Sequence, residues 1–541
     1  MKTLLVVLGV FCFQYLSATE ISDQIRFRLE SDEPGRKIEI RSTTLLSTAD
    51  IQTFYGDRNF NQIWSKDGVL TELAYEMRFE IRQSKFDGLN PDEYNLQAIA
   101  IFFQTFESNK KSKTVNNSGD LADLDLILTD AFFHLAAHLE RGKVDPAILK
   151  SDWQITLKPK KEDYKSLLEI GYQTGEIRQQ LEKLYPDFMI YRKGREVLRA
   201  LDERSKKDTL TWKRIKIDKT IKVGDLNSDI PTLRERLIFW GYVEKYPVLD
   251  EKKYDSTMMK GVADFQQKNG MEPDGAIGKM TGQALNFSPK DLMDKAAVNL
   301  ERLRWLPDSV KNHEFILVNI ANYQLDYLNN LDTIFSTRAI VGKQYHETPI
   351  FTAEMSYIVF SPYWNIPYSI VKKEIAPSVR KNSNYLSQKN MEVVTNSGRL
   401  VDPSTVNWSS RSFPYMVRQK PGGNNSLGLV KFMFPNQHSV YIHDTPARTL
   451  FTREERALSH GCIRIQNPEK LAALLLKDDS AWTSDKIDAA MHQTKEHIVN
   501  LDQKIPVVIL YLTFWADSKG KAHFRPDIYD RDAEVLDLLR K

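Results

Sequence analysis

Apolar residues recur every three to four positions through the first part of the chain. They do so most regularly at Leu124, Leu128, Ala131, Leu135 and Leu139, which predicts a helix over residues 121–140 with one core-facing side. The same spacing makes most of residues 20–222 helical, and the Lys-, Asn- and Ser-rich stretch 108–120 reads as a surface loop inside one domain. After the strongly charged stretch 204–222, Leu233, Leu237 and Trp240 share one helical face and Met258, Val262 and Phe265 another, with Gly241 and Gly270 as stops. Helix returns over 289–306, and Pro307 marks its exit. The period then falls to two: residues 315–320, 324–327, 336–342, 429–434, 439–443 and 507–512 are short β-rich runs separated by turns. Between Tyr363-Trp364-Asn365-Ile366-Pro367 and Gly422-Gly423-Asn424-Asn425 the chain mixes helical character with Ser, Asn and Pro. That is too long for a plain connection, and an insertion of this kind beside a sheet is expected to be a lid or substrate loop.

Length and charge narrow the reading. At 541 residues the chain must form several domains, since one holds about 150. The 75 Lys and Arg against 72 Asp and Glu give a formal net charge of +3, so no global field attracts a polyanion and no nucleic acid partner is expected. Met1-Lys2, an apolar run over 4–15 and the small residues Ser17-Ala18 form a secretory signal over 1–18, short for a membrane span, so export is expected, with inner-membrane anchoring if the signal stays uncleaved. Of the two cysteines, Cys12 lies in that signal, which leaves Cys462 as the single thiol of the mature chain. His134 and His138 lie four apart on one helix, but two ligands make no metal site, and a structural pair is expected.

The chemistry concentrates in Tyr441-Ile442-His443-Asp444 and Ser459-His460-Gly461-Cys462-Ile463-Arg464. A thiolate attacks carbonyls and a nearby histidine can take the thiol proton, so one thiol beside His443 and His460 points to covalent catalysis. Gly461 lets substrate approach the backbone, whose N–H groups could hold a developing oxyanion. If Cys462 and Arg464 lie on one strand they share a face, which aims a positive fork at the bond under attack. Three plainer readings stand beside this one. Cys462 could be an inert buried thiol, although its neighbours are polar. His443, His460 and Cys462 could hold zinc, although His-x-Cys is not a usual spacing and no fourth ligand is evident. Arg464 could pair with Glu469 or Asp444 at the surface.

At these residues the chain resembles the L,D-transpeptidases, whose motif joins a histidine to a downstream Ser-His-Gly-Cys and arginine. Thr348-Pro349, Pro362 to Pro367, Asn425-Ser426-Leu427-Gly428, Lys431-Phe432-Met433-Phe434-Pro435-Asn436 and Asp527-Ile528-Tyr529 resemble the large Gram-negative periplasmic branch of that family. Phe54-Tyr55, Ile63-Trp64, Asp87-Gly88-Leu89, Leu128-Thr129-Asp130-Ala131 and Gly142-Lys143-Val144-Asp145-Pro146 resemble its scaffold. Leu233-Arg234-x-Arg236-Leu237, Phe265-Gln266, Asp274-Gly275 and Ala284-Leu285-Asn286 resemble its peptidoglycan-binding module, a helical spacer being the plainer alternative.

The resemblance implies an α+β multidomain chain: signal 1–18, helical scaffold 19–222, small helical peptidoglycan-binding module 223–288, and a linking helix 289–312 returning to the scaffold. A mainly β catalytic domain follows over 313–530, with a helical or loop capping insertion at about 368–424, and then a C-terminal tail over 531–541. It implies Cys462 as nucleophile and His443 as base, oriented by the backbone carbonyl of Asp444, whose side chain is a further candidate. His460 and Gly461 would shape the oxyanion region, with His460 a rival base, and Ser459 would position them. Arg464, Asp444, Tyr441, Trp364 and Asn365 make up the expected substrate-binding set. The implied reaction takes a tetrapeptide stem onto Cys462 as a thioester with loss of D-alanine and passes it to a neighbouring stem's amine, giving a 3-3 peptidoglycan cross-link. A histidine titrating near neutrality would serve both halves. L,D-carboxypeptidase or amino-acid and lipoprotein exchange chemistry, and a non-catalytic wall-binding scaffold, are the alternatives. No cofactor and no metal are expected. Stem peptides, and cell-wall synthases or carboxypeptidases that supply the donor, are the expected partners.

Overall fold

The computed structural model describes residues 20–30, 37–149, 159–306, 314–329, 332–410 and 412–541. The signal read over 1–18 and the helix exit at Pro307 lie outside the described residues.

The chain is α+β and multidomain. The helix Ser118–Arg141 is the spine of the N-terminal part, started by Asn117, whose side chain accepts the Asp120 N–H at 3.1 Å. Leu124, Leu128, Ala131, Leu135 and Leu139 are all buried in it, but so are Leu126, Ile127, Phe132 and Phe133, because other elements surround it on every side. Two of its three buried aspartates tie down the segment 46–64: Asp125 accepts from the Tyr55 hydroxyl at 2.6 Å and the Trp64 N–H at 3.0 Å, and Asp130 from the Leu46 and Ser47 N–H groups at 2.8 and 2.7 Å. The surface loop expected over 108–120 shrinks to 113–117, between the helices Leu96–Ser112 and Ser118–Arg141. Lys, Ser and Asn are tolerated on a solvated helix face, and the first helix ends only at Lys113, which takes the left-handed conformation. His134 and His138 pack ring to ring at 4.3 Å, with the Tyr94 hydroxyl 2.9 Å from His138 Nδ1, and burial lowers both pKa values.

The second unit packs the helices Ile230–Trp240, Ser256–Lys268 and Lys279–Ala284 around Leu233, Leu237, Met258, Val262, Ile277 and Leu285. Gly241, at φ +78°, closes the first helix in the left-handed conformation. The distant ends of its motif meet: Arg236 donates to the Asn286 side chain at 2.7 Å. Trp240 lies outside this core, against Phe239 and Trp212.

The linking helix Pro289–Arg304 opens with a capping box at Ser288 and Asp291 and is buried between the scaffold and the β domain. Arg304 donates to the Asp87 carbonyl and the Tyr191 hydroxyl, each at 2.8 Å. The segment read as a C-terminal tail over 531–541 is instead mostly a helix, Asp532–Arg540. Its Val535 and Leu539 are buried, and Arg302 and Lys295 of the linking helix hold Asp532 at 2.6 and 3.2 Å. A one-sided apolar spacing this short is stabilised by docking rather than by propensity.

The β domain contains strands β1 (Phe315–Asn319), β2 (Gln324–Asn329), β3 (Asp332–Gly342), β4 (Phe351–Phe360), β5 (Val430–Met433), β6 (Ile442–His443), β7 (Ala457–Ser459), β8 (Ile463–Ile465) and β9 (His497–Leu510). Their order is β7-β3-β8-β6-β5-β4-β9-β1-β2, and β2 returns to pair with β3, so the sheet closes on itself. Ile316, Val318, Ile358, Phe432, Ile442, Ile463 and Val507 fill its interior. The capping insertion leaves between β4 and β5. It contains a four-stranded antiparallel sheet, built from Trp364–Asn365, Met391–Val394, Leu400–Val401 and Met416–Gln419, that the reading as helix and loop missed. Strands of two to four residues are too short to show a period. Val371, Ile375, Val379, Leu386, Val393 and Val417 give the cap a core of its own. At its neck the buried Asn425 donates to the Pro362 and Lys420 carbonyls at 3.0 and 2.9 Å.

Candidate active site

Strands β6 and β8 run parallel with His443 opposite Arg464, and the Ile463 N–H donates to the Tyr441 carbonyl at 3.1 Å. Side chains on alternate residues share a face, so Tyr441 and His443 lie on the face that carries Arg464 and, just before β8, Cys462. The Tyr441 and His443 rings are 5.6 Å apart. The structure thus brings together Cys462, His443, Tyr441 and Arg464 on one side of the closed sheet.

His443 is buried, and its Nδ1 lies 2.5 Å from the Asp444 carbonyl. A carbonyl only accepts, so Nδ1 carries the hydrogen and Nε2 keeps its lone pair. Burial, then the positive charge of Arg464, holds the His443 pKa down at about 3. That corrects the expectation of a base titrating near neutrality: His443 alternates with the interior residue Ile442 and lies on the opposite face of the sheet, where its burial removes the water that would stabilise an imidazolium. Cys462 is half-buried, its Sγ 3.8 Å from the Ser439 carbonyl. Burial raises its pKa, opposed by Tyr441 and the Arg464 charge. The resting pair is therefore a neutral thiol and a neutral imidazole.

The Asp444 side chain has other duties. Its Oδ2 accepts the Leu429 N–H at 2.8 Å and its Oδ1 lies 2.7 Å from Arg448, so it is the backbone carbonyl, not the carboxylate, that orients His443. Gly428, at φ +63°, packs against that carboxylate, where a Cβ would sit 2.2 Å from Oδ2. Arg464 makes no ion pair with Asp444 or Glu469 among the described residues, and its buried Nε has no hydrogen-bond partner there.

Ser459 is buried, donates to the Cys462 carbonyl at 2.6 Å and accepts the Gly461 N–H at 3.1 Å. Of the backbone N–H groups expected to face the oxyanion, that of Gly461 is thereby engaged. Gly461 has φ +116°, and a Cβ there would meet nothing nearer than 3.9 Å, so glycine is required by conformation and not by space. Strand β7 ends at Ser459, so His460 and Cys462 do not share a strand face. His460 is exposed. Its Nε2 lies 3.6 Å from Glu374 of the cap and its ring 5.4 Å from that of His346. Trp364 and Asn365 sit on the strand at the cap's neck, paired with Gln419 and Arg418, and Trp364 packs against the cap's core. No group of three or more His, Cys, Asp or Glu side chains is placed to hold a metal among the described residues.

Two buried residues without a role in the sequence reading support the nucleophile loop, Thr348 by touching it and Tyr529 by holding Thr348. The Thr348 hydroxyl donates to the Gly461 carbonyl at 2.8 Å, and the Tyr529 hydroxyl to the Gly342 carbonyl at 2.6 Å. Both stood inside family-like runs, Thr348-Pro349 and Ile528-Tyr529, and that was the one available signal.

Residues 313–499 match the family described as L,D-transpeptidase catalytic domain, 49–198 that described as scaffold domain, and 227–285 that described as "Putative peptidoglycan binding domain". A Haemophilus influenzae protein named "Putative L,D-transpeptidase" is 36% identical over 259 residues, covering 46% of this chain and 52% of that protein. The chain thus spans about half the length of the curated relative it matches. Among solved structures, the L,D-transpeptidase of Xylanimonas cellulosilytica is 13% identical, with 55% of this chain and 100% of that one covered at a TM-score of 0.16. That of Stackebrandtia nassauensis is 12% identical, with 55% and 97% covered at 0.20. On the family matches, the C-terminal domain belongs to the L,D-transpeptidase catalytic-domain family, in a chain that also carries a scaffold domain and a peptidoglycan-binding domain.

Proposed function

We propose that the chain is a periplasmic cysteine L,D-transpeptidase that makes 3-3 peptidoglycan cross-links. The observation that carries the reading is His443, buried beside the Cys462 face with its Nδ1–H held on the Asp444 carbonyl, so that Nε2 is kept as a base. His443 Nε2 takes the thiol proton as sulfur bonds to the carbonyl carbon at position three of the donor stem, and the C=O π pair moves onto oxygen. Of the amides flanking Cys462, its own N–H has no partner among the described residues, which makes it the oxyanion donor. Collapse breaks the bond to D-alanine, whose amine leaves with the proton from His443, and a thioester remains. The acceptor amine then attacks, gives its proton to His443 and expels the sulfur, which recovers that proton. A depressed histidine pKa favours the second proton transfer of each half, because the imidazolium is a strong acid there. Arg464 holds the stem carboxylate, and the cap screens the acceptor.

Incubation of the mature protein with tetrapeptide-rich sacculi, followed by mass spectrometry of the muropeptides, tests this. Cross-linked 3-3 dimers are the expected product. Tripeptides alone would mean that water is the acceptor and the protein an L,D-carboxypeptidase, amino-acid adducts would mean exchange, and an unchanged profile with binding intact would leave a wall-binding scaffold.

A further inference from the structure

The peptide groups around Cys462 are fixed from two sides. Ser459 engages the Gly461 N–H and the Cys462 carbonyl, and the Tyr441 carbonyl engages the Ile463 N–H. The remaining carbonyl, that of Gly461, accepts from the Thr348 hydroxyl at 2.8 Å. This carbonyl and the Cys462 N–H belong to one peptide plane. No cis peptide bond occurs among the described residues, so the two groups point in opposite directions. Whatever fixes the Gly461 C=O therefore fixes the Cys462 N–H, and a hydrogen bond to the carbonyl also polarises the amide into a stronger donor.

Thr348 is itself fully determined. It is completely buried, its Oγ1 accepts the Gly342 N–H at 2.9 Å, and its own N–H donates to the Tyr529 hydroxyl at 3.3 Å. Tyr529 closes the ring by donating to the Gly342 carbonyl at 2.6 Å. Gly342 admits no side chain, since a Cβ would sit 2.0 Å from the His346 carbonyl. Tyr529 in turn is held through Tyr511, whose hydroxyl accepts the Tyr529 N–H at 2.9 Å and donates to Asp527 at 2.5 Å. Asp527 also accepts the Asp532 N–H at 2.8 Å, and Asp532 is the residue clamped by the linking helix.

We infer that Thr348, set by Tyr529, is a positioning residue that aims and polarises the Cys462 N–H for the oxyanion, in a line of hydrogen bonds that begins at the C-terminal helix docked on the linking helix. The inference rests on Cys462 being the nucleophile. Two reactions of the same thiol separate the roles. Acylation by a carbapenem passes through an oxyanion, whereas alkylation by iodoacetamide does not. In the full chain, Thr348→Val is expected to slow acylation of Cys462 by roughly 10- to 100-fold, less than the roughly 10²- to 10³-fold of a removed oxyanion donor because the N–H itself remains. Alkylation should stay within about twofold, with its pH profile unmoved, because sulfur reactivity is set by the thiol pKa. Thr348→Ser, which keeps the hydroxyl, should restore acylation, and Tyr529→Phe should show the same split more weakly, which also serves should Thr348→Val not fold. Unchanged acylation in both Thr348→Val and Tyr529→Phe, or equal losses in acylation and alkylation, would overturn the inference. A wild-type protein that carbapenem does not acylate at Cys462 would remove the nucleophile reading, and this inference with it.

Discussion

The floor of the site and the cap beside it are built on opposite terms. On the floor, His443 is locked to a backbone carbonyl, the amides around Cys462 are held by Ser459, Thr348 and Tyr441, and the side chains that hold them are largely buried. The cap has its own sheet and core, a neck clamped by Asn425, and a contact with the nucleophile loop through two solvent-exposed side chains, Glu374 and His460. A buried charge-assisting group is expensive to misplace, and a solvated pair contributes little. The floor is thus suited to chemistry, where donors must be set in advance, and the cap to selection, where contacts must form and break.

Changes on the floor should have the larger effects. Cys462→Ala should abolish the acyl-enzyme and lower product formation by at least about 10³-fold, as loss of a nucleophile does; product at the wild-type rate in a muropeptide assay would place the chemistry elsewhere. His443→Asn should cost about 10² to 10⁴-fold in kcat, the range of a lost general base, while His460→Asn, on the cap side, should leave kcat within a few-fold. The reverse order in steady-state kinetics would make His460 the base. At the weak end, Glu374→Gln should raise KM for the acceptor by only about two- to fivefold with kcat unchanged, in keeping with the small worth of an exposed pair. A matching fall in kcat would mean that the cap takes part in the chemistry.

Acid should separate the same two regions. His443 has a folded pKa of about 3 against an ordinary value of 6.5, so between those values the native state binds fewer protons than the unfolded chain. Its contribution to stability is present in full above pH 6.5 and is lost as pH falls, by about 2 kcal/mol by pH 5 at 1.4 kcal/mol per pH unit. Denaturant melts of the β domain should show this slope, and His443→Asn should flatten it. Glu374→Gln should leave it unchanged. A slope that survives His443→Asn would assign it to other groups.

The sequence conveyed the identities of the chemical groups better than their supports. Helix periods at Leu124 to Leu139 and the stops at Gly241 and Gly270 are local features, and they appear where the spacing put them. The cap sheet was not legible, since its strand pairs join residues such as Met391 and Gln419 over runs too short to alternate. Nor could local pattern show that Thr348 reaches Gly461, or Tyr529 Gly342, across 113 and 187 residues. The histidine's titration was missed for the same reason: His443 looks polar in sequence, and only its burial in the folded chain, on the face opposite the interior Ile442, removes water. The C-terminal helix had the apolar spacing to be read, at Val535 and Leu539, but its docking partner lies on the linking helix far upstream.

The mechanism depends on Cys462 carrying the acyl group while His443 rests neutral. The most direct measurement is rapid-quench intact-protein mass spectrometry during turnover of a tetrapeptide muropeptide, with peptide mapping of the adduct. The account predicts a transient mass increase equal to the donor stem less D-alanine, located on Cys462 and absent from Cys462→Ala. A turning-over enzyme with no adduct, or an adduct on any other residue, would contradict it.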